Sequence, residues 1–292
     1  MKVIGFSFIR NAIKYNYPVV EALQSILPLC DEIVVAVGNS DDGTRELISS
    51  IDPKIRIIDT VWDDNLKIGG RVLAVETDKA FQAIDSSADW CIYIQGDEVL
   101  HEDGYQNLRE AMLKWKDDER VDGLLLNYRH FYGGYDWVGS EGKWYRHEIR
   151  VIKNNKSIYS YRDAQGFRKG NNEKLNVKPV NAYIHHYGWV QDPRTLKVKC
   201  IAKDKIMYDM NGDEENVVVP EDFSFTLVNA LEKFKGTHPA PMQPRVKNQY
   251  WQFRYDPKKN KLPLKDRFKN LIEKLTGKRP FDYKNYTIVS GE

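Results

Sequence analysis

Short apolar runs alternate with amphipathic stretches along the first half of the chain. Residues 3–8, 32–37, 55–59, 90–95 and 123–131 read as strands. The run EIVVAV at 32–37 is apolar throughout after its first residue, as expected of a strand covered on both faces. Between these runs, 18–27, 44–51, 69–84 and 103–116 carry helical spacing. Strand and helix in turn at this spacing predict an open α/β sheet with right-handed crossovers. After residue 131 the pattern changes, and aromatic residues and glycines crowd HFYGGYDWVGSEGKWYRHE. Residues 149–153, 157–161 and 181–187 then read as short strands, and 192–211 as a lysine-rich helix. From Pro239 the chain is proline-punctuated and basic, with a short amphipathic helix expected at 266–275. The expected organisation is an α/β half at 1–131, a second half of the same domain at 132–212, and a helical, basic extension at 213–292.

With 292 residues, 41% of them hydrophobic, the chain can bury a sizeable core, which excludes global disorder. Its 44 Lys and Arg against 42 Asp and Glu leave +2, too even for a dedicated nucleic-acid binder. That balance hides an asymmetry. Arg245 to Lys284 hold 13 basic and 4 acidic residues, leaving 31 basic against 38 acidic elsewhere. An acidic body carries a basic tail. Cys30, Cys91 and Cys200 lie far apart with no CxxC, so they read as free thiols and not as a disulfide framework or zinc site. MKVIGFSFIRN reads as a first strand and not as a signal peptide, and no run approaches the roughly 18 apolar residues of a membrane span. The cytoplasm is the expected compartment.

Ligands of open α/β sheets bind outside the carboxyl ends of the strands. Arg10 and Asn11 follow the first strand, and GNSDDGT, with Asn39, Asp41 and Asp42, follows the second. Gln95, Gly96, Asp97 and Glu98 end the fourth. Two adjacent carboxylates at the end of an apolar strand either cap the next turn or face a counter-charge. A hard cation shared with substrate phosphates is one such counter-charge. Neither GxGxxG nor GxxxxGK[ST] is present, which argues against a dinucleotide site and a P-loop.

As a set, FIRN, VAVGNSDDGT, WDDNLKIGGRVLAVETDKA and YIQGDEVLHED resemble the amino-terminal half of the family-2 glycosyltransferases with the GT-A fold. Order and spacing match over roughly residues 1–105, and more thinly to about residue 190. The chain is most similar to a branch with a QxDE variant of the DxD motif. The resemblance implies a GT-A type open mixed sheet flanked by helices, with a C-terminal helical and extended appendage. It implies sugar transfer from a nucleotide-sugar donor to a glycan or lipid-linked acceptor hydroxyl, with inversion, in surface-glycan assembly. It also implies a divalent cation, Mn²⁺ or Mg²⁺, on the donor diphosphate. Departures accompany the matches. Gln95 replaces the first acid of the motif and leaves Asp97 as its charged ligand. The acid that usually meets the nucleobase is missing, its place falling on Val37 or Gly38, with Asn39, Asp41 or Asp42 as substitutes. Asp78 stands where the family usually has Asn.

The donor-side residues expected on this basis are Arg10, Asn39, Asp41, Asp42, Lys67, Arg71, Gln95, Gly96, Asp97 and Glu98. Arg10, Lys67 and Arg71 read equally as solvated surface cations. The stretch IRVIKNNKSIYSYRDAQGF resembles the family's RLFRN…G.VHE, whose acid lies near the acceptor. Asp163 is the carboxylate of that stretch and the first choice of catalytic base, with Glu148 the second. Each could instead pair with a neighbour, Arg162 or Arg150. HHYGW at 185–189 resembles the family's hHyGy. Alternation turns its two histidines to opposite faces, and His186, nearer the strand's end, is expected to meet a metal or a phosphate as a ligand beside Asp97, and reads equally as a core or surface histidine. Tyr132, Tyr135, Trp137 and Trp144 either stack on an acceptor sugar or pack a subdomain. The basic tail carries Trp251, Phe253, Tyr255, Phe268, Leu271 and Leu275 among its lysines. That composition suits docking on the acidic body, on a second copy in a homo-oligomer, or on an anionic membrane. Two other functions stay open. A nucleotidyltransferase on a similar sheet would want glycines after the first strand, and 7–11 has none. A non-catalytic nucleotide-sugar binder would accommodate Gln95 and the missing nucleobase acid.

Overall fold

The structure, a computed structural model, describes residues 1–63, 65–66, 68–208, 228, 230–276, 279–280 and 283–291. Its amino-terminal half alternates β1 (Val3–Ile9), α1 (Val19–Ile26), β2 (Glu32–Gly38), α2 (Thr44–Ser49), β3 (Ile55–Thr60), α3 (Arg71–Gln82) and β4 (Trp90–Tyr93). β1 pairs in parallel with β2 on one side and β4 on the other, and β3 extends the sheet beyond β2. Strict alternation along β2 explains why its run is apolar. Ile33, Val35 and Val37 enter the core shared with Ala22, Leu23 and Ile26 of α1. Val34 and Ala36 enter the opposite core with Phe6 and with Ala80 and Phe81 of α3. Both faces are therefore covered, as a parallel sheet requires.

The chain continues through β5 (Glu98–Leu100), α4 (Tyr105–Trp115), β6 (Gly123–Tyr132), β7 (Gly134–Gly139), β8 (His147–Lys153), β9 (Ile158–Tyr161) and β10 (Gly166–Lys169). Then come β11 (Glu173–Trp189), α5 (Pro193–Tyr208), β12 (Leu231–Lys233), α6 (Gln243–Lys247), α7 (Leu264–Thr276) and β13 (Tyr286–Ile288). β8 inserts antiparallel between β4 and β6, and β6 runs parallel to β11. The main order is β3-β2-β1-β4-β8-β6-β11-β10-β9. The architecture is an open mixed α/β sheet flanked by helices.

The largest departure from the sequence pattern is β11. Alternation predicts 181–187, whereas the strand runs 17 residues. Pro179 and Asn181 interrupt the pattern where the strand is irregular, and its register against β6 shifts between Val180 and Tyr183. Beyond residue 230 the chain gives β12 to β7 and β13 to β11. Arg245 of α6 donates to Glu21 Oε1 at 2.6 Å and Asn16 Oδ1 at 2.8 Å. Trp251 Nε1 donates to the Gly133 carbonyl at 2.7 Å. The tail is docked on the acidic body along much of its length. Cys30 and Cys91 are buried and Cys200 half-buried, all as free thiols. No described helix is long and apolar enough to cross a membrane.

Candidate functional site

Strand order reverses between β1 and β4, the place where an open parallel sheet leaves a crevice at its carboxyl edge. A cavity of about 820 Å³ lies there, lined by Arg10 and Asn11 after β1, Gln95 to Asp97 after β4, and Lys199 and Lys203 of α5.

Asp97 anchors one wall. Its Oδ2 lies 3.1 Å from Lys199 Nζ and 3.7 Å from His186 Nε2. Burial pushes its pKa up, but the Lys199 ammonium and His186 outweigh that and hold the carboxyl below its ordinary range. Gly188 makes the approach possible. A Cβ there would stand 2.6 Å from His186 Nε2 and 2.7 Å from Asp97 Oδ2. The Gly188 carbonyl also accepts from Lys199 Nζ at 2.9 Å. Burial pushes the His186 pKa down, so the imidazole is neutral at pH 7. An ionised carboxylate oxygen and a neutral imidazole nitrogen are donor types a divalent cation takes, and here the Lys199 ammonium is the positive charge on that same oxygen. Among the described residues, no third His, Cys, Asp or Glu joins them. His185 faces the other way, its ring 5.3 Å from that of His101.

The β1 end has a different chemistry. The Arg10 guanidinium lies 5.2 Å from the centre of the Trp62 ring. Gly38 lets that indole lie over the end of β2, because a Cβ there would collide with Trp62 Nε1. Arg10 Nε, Asn11 Oδ1 and Trp62 Nε1 are buried with no partner among the described residues. Each such atom costs on the order of 1–3 kcal/mol until something pairs it. Asn39 is exposed, and its Oδ1 accepts from the Trp62 backbone N–H at 3.4 Å. Asp41 lines the cavity. Asp42 does not. Its oxygens accept from Lys14 N at 2.8 Å and from Thr44 N and Oγ1 at 3.1 and 2.6 Å, which pins the loop.

Glu98, expected beside Asp97 at the donor, points away from the cleft. It is fully buried and accepts from Arg150 Nε and Nη2 at 2.7 and 2.6 Å and from the Tyr128 hydroxyl. Arg150 also donates to the Gln165 carbonyl at 2.9 Å, so the pair ties β5 and β8 to the loop carrying Asp163. Gln95 lines the cleft and braces the same loop, its amide donating to Tyr93 Oη at 3.1 Å and the Ala164 carbonyl at 3.0 Å.

Asp163 stands on a wall shared by the cleft and a second hollow of about 750 Å³. Its neighbours Arg162 and Ala164 have φ of 56° and 63°, and these bonds hold that left-handed turn in place. Gly70, at φ 67°, brings α3 close, since a Cβ there would stand 2.9 Å from Asp163 Cβ. No described residue hydrogen-bonds or ion-pairs the Asp163 carboxylate. Arg71 lines the second hollow with Tyr159 and Tyr161, and Lys67 lies outside the described residues.

Glu148, the second expected base, does not reach the cleft. It is buried below it, accepts from Ile149 N at 3.0 Å, and burial pushes its pKa up to about 7 against the pull of Arg150. Its pKa is higher folded than unfolded. Its contribution to stability is therefore fully present below the ordinary value of 4.5 and is lost as pH rises through about 7. Glu148→Gln should flatten that loss. Urea unfolding at about pH 5 and about pH 8 should show a smaller fall in midpoint for the variant than for the parent.

Tyr132, Tyr135 and Trp144, expected at an acceptor, are core residues, and Trp137 is half-buried. Tyr135 packs on Tyr187 and Trp251, Trp144 on His130, and Trp137 on Tyr255. The tail's own aromatics cover this cluster, so none of the four lines the cleft. Among the cavity residues that escape sequence reasoning are Tyr17, Trp62, Lys199 and Lys203. The signal for Lys199 is faint. Leu196, Lys199 and Lys203 share a helical face just after HHYGW, and all three line the cavity.

Compared with known proteins, the chain matches no family model and no curated protein. Several solved structures are similar to parts of it. S. aureus TarS is 15% identical over 72% of this chain and 41% of that chain, with a TM-score of 0.39. Glucosyl-3-phosphoglycerate synthase from Mycobacterium tuberculosis, in complex with Mn²⁺, UDP and phosphoglyceric acid, is 16% identical over 44% of this chain and 43% of that chain, with a TM-score of 0.30. A 4-diphosphocytidyl-2C-methyl-D-erythritol synthase from Anaerococcus prevotii is 10% identical over 52% of this chain and 70% of that chain, with a TM-score of 0.31. The chain spans less than half the length of the first two. Likenesses this partial leave the chemistry to this chain's own residues.

Proposed function

We propose that the chain is a glycosyltransferase that moves a sugar from a nucleoside-diphosphate sugar to an acceptor hydroxyl with inversion. The observation that carries this reading is one cavity with Asp97, His186 and Lys199 on one wall and, on another, the Asp163 carboxylate, which no described residue pairs. The nucleobase lies against Arg10, Asn11 and Trp62, which line the β1 end of the cavity. The diphosphate lies along Asp97, His186 and α5, past Gly96, where there is open space within 4 Å of a Cβ position.

Asp97 and His186 would hold a divalent cation, Mn²⁺ or Mg²⁺, which when bound neutralises charge on the departing diphosphate. Lys199 and Lys203 place fixed positive charge along the same wall for the same purpose. Asp163 takes the acceptor's hydroxyl proton as that oxygen bonds to the anomeric carbon and the bond to the diphosphate breaks. The acceptor approaches from the second hollow, where Tyr159, Tyr161 and Arg71 stand on the far side of Asp163. A glycan or lipid-linked acceptor in surface-glycan assembly fits a hollow open to solvent.

Calorimetric titration of UDP, CDP and GDP, with and without Mn²⁺, tests the reading. At least one of the three should bind, and Mn²⁺ should strengthen its binding about tenfold or more, a gain that Asp97→Asn removes. Undiminished Mn²⁺-linked affinity in that variant would contradict the assignment of Asp97.

A further inference from the structure

The polar side of α7 faces the protein. Asp266 is buried, its carboxylate 3.8 Å from Arg279 Nη2. Asn270 Nδ2 donates to the Ser140 carbonyl at 3.3 Å, and Glu273 accepts from Arg146 Nε at 3.3 Å and Arg279 Nη1 at 2.7 Å. Leu264, Phe268, Leu271 and Leu275 lie on the opposite side, at i, i+4, i+7 and i+11, and are 82%, 58%, 55% and 76% exposed. An ordinary surface helix buries its apolar stripe and shows its polar one. This helix is fastened the other way round, which leaves a continuous apolar stripe that calls for a partner.

Charge says which partner. Exposed Lys265 and Arg267 flank the stripe, and exposed Arg254, Lys258 and Lys261 lead into it. The acids among them are Asp256 and Asp266, and Asp266 is turned inward. A second copy of this chain would bring the same cations against themselves, because a two-fold interface is self-complementary. An anionic bilayer complements both the cations and the stripe.

We propose that α7 is an interfacial anchor that lays Leu264, Phe268, Leu271 and Leu275 into the headgroup–acyl boundary of an anionic membrane, with Lys265 and Arg267 on lipid phosphates. Trp251, Phe253 and Tyr255 take no part, since they pack on the body around Gly133 and Trp137.

The test is co-sedimentation of the full chain with phosphatidylcholine vesicles and with vesicles holding about one-third phosphatidylglycerol. The parent should bind the anionic vesicles and leave the neutral ones. Phe268→Ser with Leu271→Ser should lower that partition about tenfold or more. Lys265→Glu with Arg267→Glu should abolish the preference for anionic lipid. All four side chains are exposed, so an unchanged unfolding midpoint checks that the variants fold. Absence of vesicle binding by the parent, or equal binding by the serine variant, would overturn the proposal. So would a parent dimer that the serine variant dissolves, since a second copy would then cover the stripe.

Discussion

Asp163→Asn is expected to lower sugar transfer about a hundredfold or more while leaving nucleoside diphosphate affinity within about twofold. The amide keeps the size and shape of the side chain and removes only its ability to take a proton. Other carboxylates on the cavity are less suited. Asp97 is engaged by Lys199, and Asp41 and Asp63 follow β2 and β3, on the side of Trp62 and the nucleobase. Glu148 is buried beneath the floor. A base acts on the transition state and not on the bound donor, so the loss should appear in kcat. Turnover retained within about tenfold would move the role to another group.

Arg150→Met is expected to destabilise the protein by about 3–5 kcal/mol, the usual cost of stranding one member of a buried ion pair. Glu98 and Arg150 are both fully buried. Without the guanidinium, the Glu98 carboxylate keeps only the Tyr128 hydroxyl and the Gln95 N–H at 3.3 Å. The Gln165 carbonyl loses its donor at the same time, which loosens the turn that presents Asp163. The double variant Glu98→Leu with Arg150→Met should be more stable than Arg150→Met alone, because it buries no unpaired charge. Urea unfolding at neutral pH measures both. A single variant within about 1 kcal/mol of the parent would contradict the role given to the pair.

The parallel half of the sheet is legible in the sequence because each of its strands is buried by neighbours close in the chain. EIVVAV is enough to find β2, and Arg71 opens the helix that the spacing predicts. β11 is half hidden, since Pro179 and Asn181 look like breaks and are absorbed by a bulge. Asp97 stands out as a carboxylate after an apolar strand, but its partner Lys199 is 102 residues away and no local pattern contains the pair. Glu98 turns to the opposite side and meets Arg150, 52 residues on, for the same reason. Aromatic density around 131–145 serves binding and packing equally well. Trp251, bonded to Gly133 across 118 residues, decides for packing.

The central claim is transfer of a sugar with release of a nucleoside diphosphate. The most direct measurement is to incubate the full chain with UDP-, CDP- and GDP-sugars and Mn²⁺, with and without candidate acceptors, and to follow the nucleotide product. The account predicts slow release of a nucleoside diphosphate that an acceptor accelerates and that Asp163→Asn suppresses. Pyrophosphate released from a nucleoside triphosphate, with the nucleotide sugars bound but left intact, would contradict it.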